Sequence, residues 1–150
     1  MDHLYLGLKL LHILSAVVAV GFNLSYGVWL SRAAREREHL GYVLRGIKTL
    51  DDRFANPAYG LLLITGISMT LVAGIPLTTF WIAAALVLYV VLVAMAVFLY
   101  SPTLRRQIEL VDRPDSPEYR AVARRGSILG PAFGVPVVLI LILMVFKPQP

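Results

Sequence analysis

From Phe80 to Tyr100 no side chain carries a charge, and most of the run is Ala, Val, Leu or Phe. An α-helix needs about 20 such residues to cross a hydrocarbon core of about 30 Å. Period-two alternation, the mark of a membrane strand, is missing. The run therefore predicts a membrane-spanning helix, and three more segments qualify beside it. They cover roughly residues 4–30, 55–73 and 127–146, against about 80–100 for the first. The reading is all-α: a single domain over 1–150, an integral membrane four-helix bundle with amphipathic cytoplasmic loop helices. Composition agrees, with 58% hydrophobic and 15% charged residues, against about 45–50% and 25% in soluble domains.

Loop charge sets the orientation. Arg32, Arg35, Arg37, Arg45, Lys48 and Arg53 lie between the first two spans. Arg105, Arg106, Arg113, Arg120, Arg124 and Arg125 lie between the last two. The turn from Ala73 to Thr79 has no charge. Basic loops stay in the cytoplasm, so loops 31–54 and 101–126 are expected inside and both termini outside, in a multi-pass protein of the bacterial inner membrane. The net charge of +5 belongs to this pattern, and no nucleic-acid motif accompanies it. The start, Met1-Asp2-His3, lacks the basic region of a cleaved signal peptide.

Both long loops carry helical signals. Leu40, Val43, Leu44, Ile47, Leu50 and Phe54 recur at helical spacing, which predicts an amphipathic helix on or extending from the membrane surface. Ser116-Pro117-Glu118 combines an N-cap, a proline at the first helical position and an acid in the first turn. The last helix is thus expected to begin near Pro117. Ser101-Pro102 predicts a break or a fresh start after the third span.

Polar residues gather on the first span. Lys9, His12, Ser15, Ala19, Asn23 and Tyr26 fall on one stripe at 100° per residue. Ionisable groups inside a span face the bundle and find partners. Lys9 is near enough to the outer end to snorkel. His12 is deeper. It either bonds a neighbouring helix, through Thr65, Ser68 or Asn23, or serves as a metal or haem ligand or proton carrier. Neither His3 nor His39 lies within a span. A haem on His12 would therefore take a methionine such as Met69 or Met95, keep an open axial site, or be shared across a dimer. The same methionines are soft enough for copper(I).

Gly126, Gly130 and Gly134 form a row of small residues on the last span. It reads as close helix packing, within the chain, with a second copy in a homodimer, or with a membrane-protein partner. It also leaves room for a flat cofactor. The chain has no cysteine, which excludes disulfides and thiolate chemistry. No phosphate loop, nucleophile elbow or dinucleotide fingerprint is present.

Several segments carry a family resemblance. They are Leu8-Lys9-Leu10-Leu11-His12-Ile13 with Gly21 and Trp29; Leu50-Asp51-Asp52-Arg53-Phe54 with Asn56-Pro57; Thr65-Gly66-Ile67; and Leu143-Met144-Val145-Phe146-Lys147-Pro148. Together they resemble the group of small membrane proteins that includes the CopD copper-resistance and HemJ-type protoporphyrinogen oxidase proteins. Within that group the chain is most similar to a bacterial family of predicted integral membrane proteins, a domain of unknown function. The resemblance implies a four-span bundle and haem b on His12, with Lys9 beside it; in a redox protein of that kind Asn23, Tyr26, Ser15 and Thr65 would line the cavity. The third span here has no ionisable group, a departure from the HemJ pattern.

Three functions follow as expectations. One is a b-type haem- or porphyrin-binding redox protein. Another is a cofactor-free structural or accessory subunit of a membrane complex. The third is transport of copper or another metal.

Overall fold

The computed structural model describes residues 3–149, and all regular structure among them is helical. Six α-helices follow one another: α1 (His3–Ala33), α2 (Leu40–Leu50), α3 (Asn56–Val72), α4 (Phe80–Met95), α5 (Ser101–Glu109) and α6 (Pro117–Phe146). Helix α2 runs into α3, and α4 into α5, each through a five-residue π-helical turn. Four continuous helices result, at residues 3–33, 37–72, 80–109 and 117–146, each long and apolar enough to cross a membrane.

The two π turns share a cause. One covers Asp51–Ala55 and precedes Asn56-Pro57; the other covers Ala96–Tyr100 and precedes Ser101-Pro102. A proline inside an α-helix lacks the N–H that should bond four residues back, and its ring presses on that carbonyl. Widening the preceding turn by one residue relieves both problems. The Asn56 and Ser101 amides accordingly bond the carbonyls of Asp51 and Ala96, five residues back. Of the break or fresh start expected at Ser101-Pro102, the structure has the fresh start without the break: α5 begins at Ser101, joined to α4 through the π turn, and runs nine residues. The surface helix α2 likewise extends from the second span.

The start expected at Pro117 is present, and Ser116 Oγ accepts from the Tyr119 amide at 3.1 Å. The turn after α3 closes on Gly74, whose φ of 66° only glycine adopts freely. The Ile75 and Gly74 amides bond the Thr70 and Leu71 carbonyls, satisfying two of the helix's terminal acceptors.

The spans pair off. Helix α1 lies along α3, and α4 lies along α6. Although α3 and α4 are joined by the turn, their backbones make no close approach. A bond from Tyr89 Oη to the Tyr59 carbonyl, 2.8 Å, ties them. At the opposite end, called here the loop end, α2 and α5 pack on the bundle. There Tyr26, Ala33, Leu40, Leu44, Ile47, Leu104 and Tyr119 form the hydrophobic core. Between 11% and 17% of each span's most apolar window is buried within the chain. The outward faces, with Leu24, Ile64, Val90 and Val145 all more than half exposed, therefore need lipid around them.

Candidate functional site: a groove between α1 and α6

The polar stripe on α1 reaches two different environments. Lys9 is exposed and makes no ion pair among the described residues. His12 meets α3, where its Nδ1 lies 2.9 Å from Thr65 Oγ1. The Thr65 hydroxyl donates its one proton to the Leu61 carbonyl at 2.6 Å. With its proton on Leu61, the hydroxyl is left to accept from the imidazole, an arrangement that assigns the Nδ1–H tautomer and leaves a lone pair on Nε2. Gly66 makes room for the ring, since a Cβ there would lie 3.3 Å from His12 Cε1. Of the three partners expected for His12, the structure selects Thr65. Ser15 and Ala19 are buried one and two turns farther along α1.

Asn23 and Tyr26 line something else. A groove of about 810 Å³ opens between α1 and α6 in the half of the bundle near the loop end. Its walls include Asn23, Tyr26 and Gly27 from α1 and Gly126, Gly130 and Gly134 from α6, while Tyr59 and Tyr100 reach it from α3 and the second π turn. A Cβ placed on Gly27, Gly130 or Gly134 would meet no other atom within 4 Å. This corrects the reading of the glycine row as packing within the chain. Only Gly126 is close to a neighbour, with Gln107 Nε2 at 3.3 Å from such a Cβ.

The groove's polar groups are unevenly satisfied. Asn23 Nδ2 donates to the Ala19 carbonyl at 2.8 Å and to Tyr59 Oη at 3.3 Å. The hydroxyls of Tyr26 and Tyr100 are buried and have no hydrogen-bond partner among the described residues. Tyr26 is only 3% exposed. A buried hydroxyl without a partner costs on the order of 1–3 kcal/mol; both hydroxyls lie beneath the groove's surface, closed to it.

The candidate metal ligands stay apart. Met69 is near the turn end of α3, and Met95 is the last residue of α4 at the other end. At 1.5 Å per residue they are separated by roughly 18 Å along the bundle. The groove begins at Val20, about 12 Å along α1 from His12. No His, Met or Cys lines it. His12 and the groove therefore do not combine into one haem site.

One charged group had no role assigned to it from the sequence. Asp51 is buried at the start of the first π turn, and its Oδ2 accepts from Asn56 Nδ2 at 3.5 Å. Burial pushes its carboxyl above the ordinary carboxylate range, Asp52 adds to this, and Lys48 and the Asn56 amide oppose it. The folded chain thus holds this proton to higher pH than the unfolded chain does. Stability on this account is greatest at low pH and falls as pH rises through the folded-state value. Asp51→Asn is expected to unfold at higher temperature than wild type at neutral pH, with the difference vanishing toward about pH 4. Thermal unfolding in detergent across that range checks it. A variant less stable than wild type at neutral pH would mean that the ionised carboxylate is used.

The neighbour of Asp51, Asp52, turns outward instead and pairs with Lys48. Tyr59 and Tyr100 were also missed. Each sits at helical spacing from small or apolar residues, but nothing local says that they converge on α1.

A family model described as "predicted integral membrane protein (DUF2269)" matches residues 6–148. No curated protein and no solved structure matches. The match spans nearly the whole chain, and the protein belongs to that family.

Proposed function

We propose that this DUF2269 protein is a non-catalytic, accessory membrane protein whose spans hold open a lateral groove for an amphipathic molecule of the bilayer. One observation carries the reading: the groove is walled by Gly27, Gly130 and Gly134, over which there is open space, and arginines stand at its loop end. Small residues on a membrane helix ordinarily admit another helix. Here they face space within the protein's own bundle. We place the loop end in the cytoplasm, because the basic residues flank the spans there.

Native mass spectrometry of the purified chain with added phosphatidylcholine tests the reading. A bound lipid is expected, and Gly130→Leu should remove it by filling the groove. A chain that binds no lipid, or whose lipid is indifferent to Gly130→Leu, would end the reading. Tyr26→Phe is separately expected to raise stability by about 1 kcal/mol in lipid-free detergent, since it deletes an unpaired hydroxyl, and thermal unfolding checks it.

A second reading is favoured by the His12 tautomer. A histidine that donates from one ring nitrogen and keeps a lone pair on the other is arranged as metal-binding histidines are. Haem b on His12, outside the groove, predicts a Soret band after expression with haem precursor. The band should vanish in His12→Ala and persist in His39→Ala. Colourless, folded protein after such expression would remove this reading.

A further inference from the structure

We propose that the groove's occupant is an anionic phospholipid of the leaflet at the loop end. Its phosphate sits at Arg120 and Arg124, and one acyl chain runs along Gly126, Gly130 and Gly134. The proposal rests on the groove reading above and names the ligand's class.

Charge is the first support. The groove is lined by Arg37, Arg120 and Arg124 and by no Asp or Glu. Arg37 is already engaged by Asp115. Arg120 and Arg124 are exposed and make no ion pair among the described residues. They are four residues apart on α6, hence neighbours on one face. A phosphate bridging two guanidinium groups receives paired N–H donors from each. Basic pockets between spans on the cytoplasmic side suit anionic head groups in this way.

The order of residues along α6 is the second support. Toward the turn end, the groove-lining side of α6 passes from Arg120 and Arg124 to Ser127, then to Gly130, Pro131, Gly134 and Val137. Polarity thus falls in the order of a lipid's own parts: charged head, ester region, hydrocarbon. From Arg124 to Val137 the helix rises about 20 Å, against about 15 Å of hydrocarbon in one leaflet. Open space over Gly130 and Gly134 lets an acyl chain lie against the backbone.

Charge separates a lipid from a helix. Copies of one membrane protein share one orientation, so a second α6 laid along the groove would bring its own Arg120 and Arg124 to the level of the first pair, like charge against like.

The test compares phosphatidylglycerol with phosphatidylcholine of identical acyl chains, titrated onto the full-length, delipidated protein and read by native mass spectrometry. At about fivefold per arginine, wild type should bind phosphatidylglycerol about 25-fold more tightly. Arg120→Gln with Arg124→Gln should bring the two lipids to near-equal affinity while keeping the phosphatidylcholine adduct. Gly130→Leu should lose both adducts, and Gly134→Leu replaces it should that variant not fold. Equal affinities in wild type would overturn the anionic proposal and leave the groove reading standing. Adducts indifferent to both glycine variants would place the lipid on the outer surface and overturn both. A lipid-free dimer abolished by Gly130→Leu would give the groove to a second copy. Displacement by inorganic phosphate at the lipid's concentration would assign the arginines to a soluble anion. Either result would overturn the proposal.

Discussion

Leu44→Ala should destabilise the protein by about 2–5 kcal/mol, the range for a buried leucine cut back in a packed core. Leu44 is fully buried among Tyr26, Leu40, Ile47, Leu104 and Tyr119, where α1, α2, α5 and α6 meet. Two terms add in that loss: the transfer energy of the removed carbons and the cavity they leave. The site lies at the end of the bundle, outside the most apolar windows, so water rather than lipid is the alternative surrounding. Leu24 provides the control, being apolar but 71% exposed toward the expected lipid. Leu24→Ala should change stability by no more than about 0.5 kcal/mol. Denaturation of both variants in mixed micelles compares them directly. If Leu44→Ala is as stable as Leu24→Ala, the loop helices are ornaments on a bundle that holds itself together.

The second large effect is expected at the other end. Trp81 packs α4 against α6 near the turn, is 8% exposed, and has Lys147 Nζ 5.4 Å from its ring centroid. Trp81→Ala in an aqueous core would cost about 3–5 kcal/mol. Lipid tails are as apolar as the ring's neighbours, so the transfer term shrinks and packing supplies most of the loss. We expect roughly 2–3 kcal/mol on that basis. Lys147→Gln isolates the cation over the ring, worth about 0.5–1 kcal/mol at an exposed position. Should the two variants lose the same stability, the ring's packing would contribute nothing and only its charge contact would matter.

The spans were legible because a bilayer leaves a chain few options. Only helices and closed barrels bond every backbone group in hydrocarbon, and charge-free runs such as 80–100 lack the period-two alternation of barrel strands, so they must be helices. The N-cap at Ser116 was legible for a similar reason, its chemistry being local. His12 was legible as a residue in need of a partner, and Thr65 was among those named. The groove was not legible. It exists because α1 and α6 draw apart where each carries glycines, and a glycine row announces closeness, not distance. Tyr26 and Asn23 were rightly set on an inward stripe. What they look onto depends on how two helix pairs splay, and no period in the sequence encodes that. Asp51 was hidden by Asp52, because adjacent residues on a helix point about 100° apart and only one of the two can face the bundle.

The π turns also explain why the long helices read as they do. Buried residues Leu40, Leu44, Ile47, Asp51, Ala55, Ala58 and Thr65 follow an ordinary helical period straight through the first π turn. On paper they make one unbroken stripe. In space, an extra residue in one turn sets everything after it back by roughly 100°, so the stripe changes its bearing as it passes Asp51–Ala55. Before the π turn the buried side meets α5 as well as α1; after it, α1 and not α5. One continuous helix thereby keeps a single partner along its length and takes on a second only at the loop end, with a proline fixing where the change occurs.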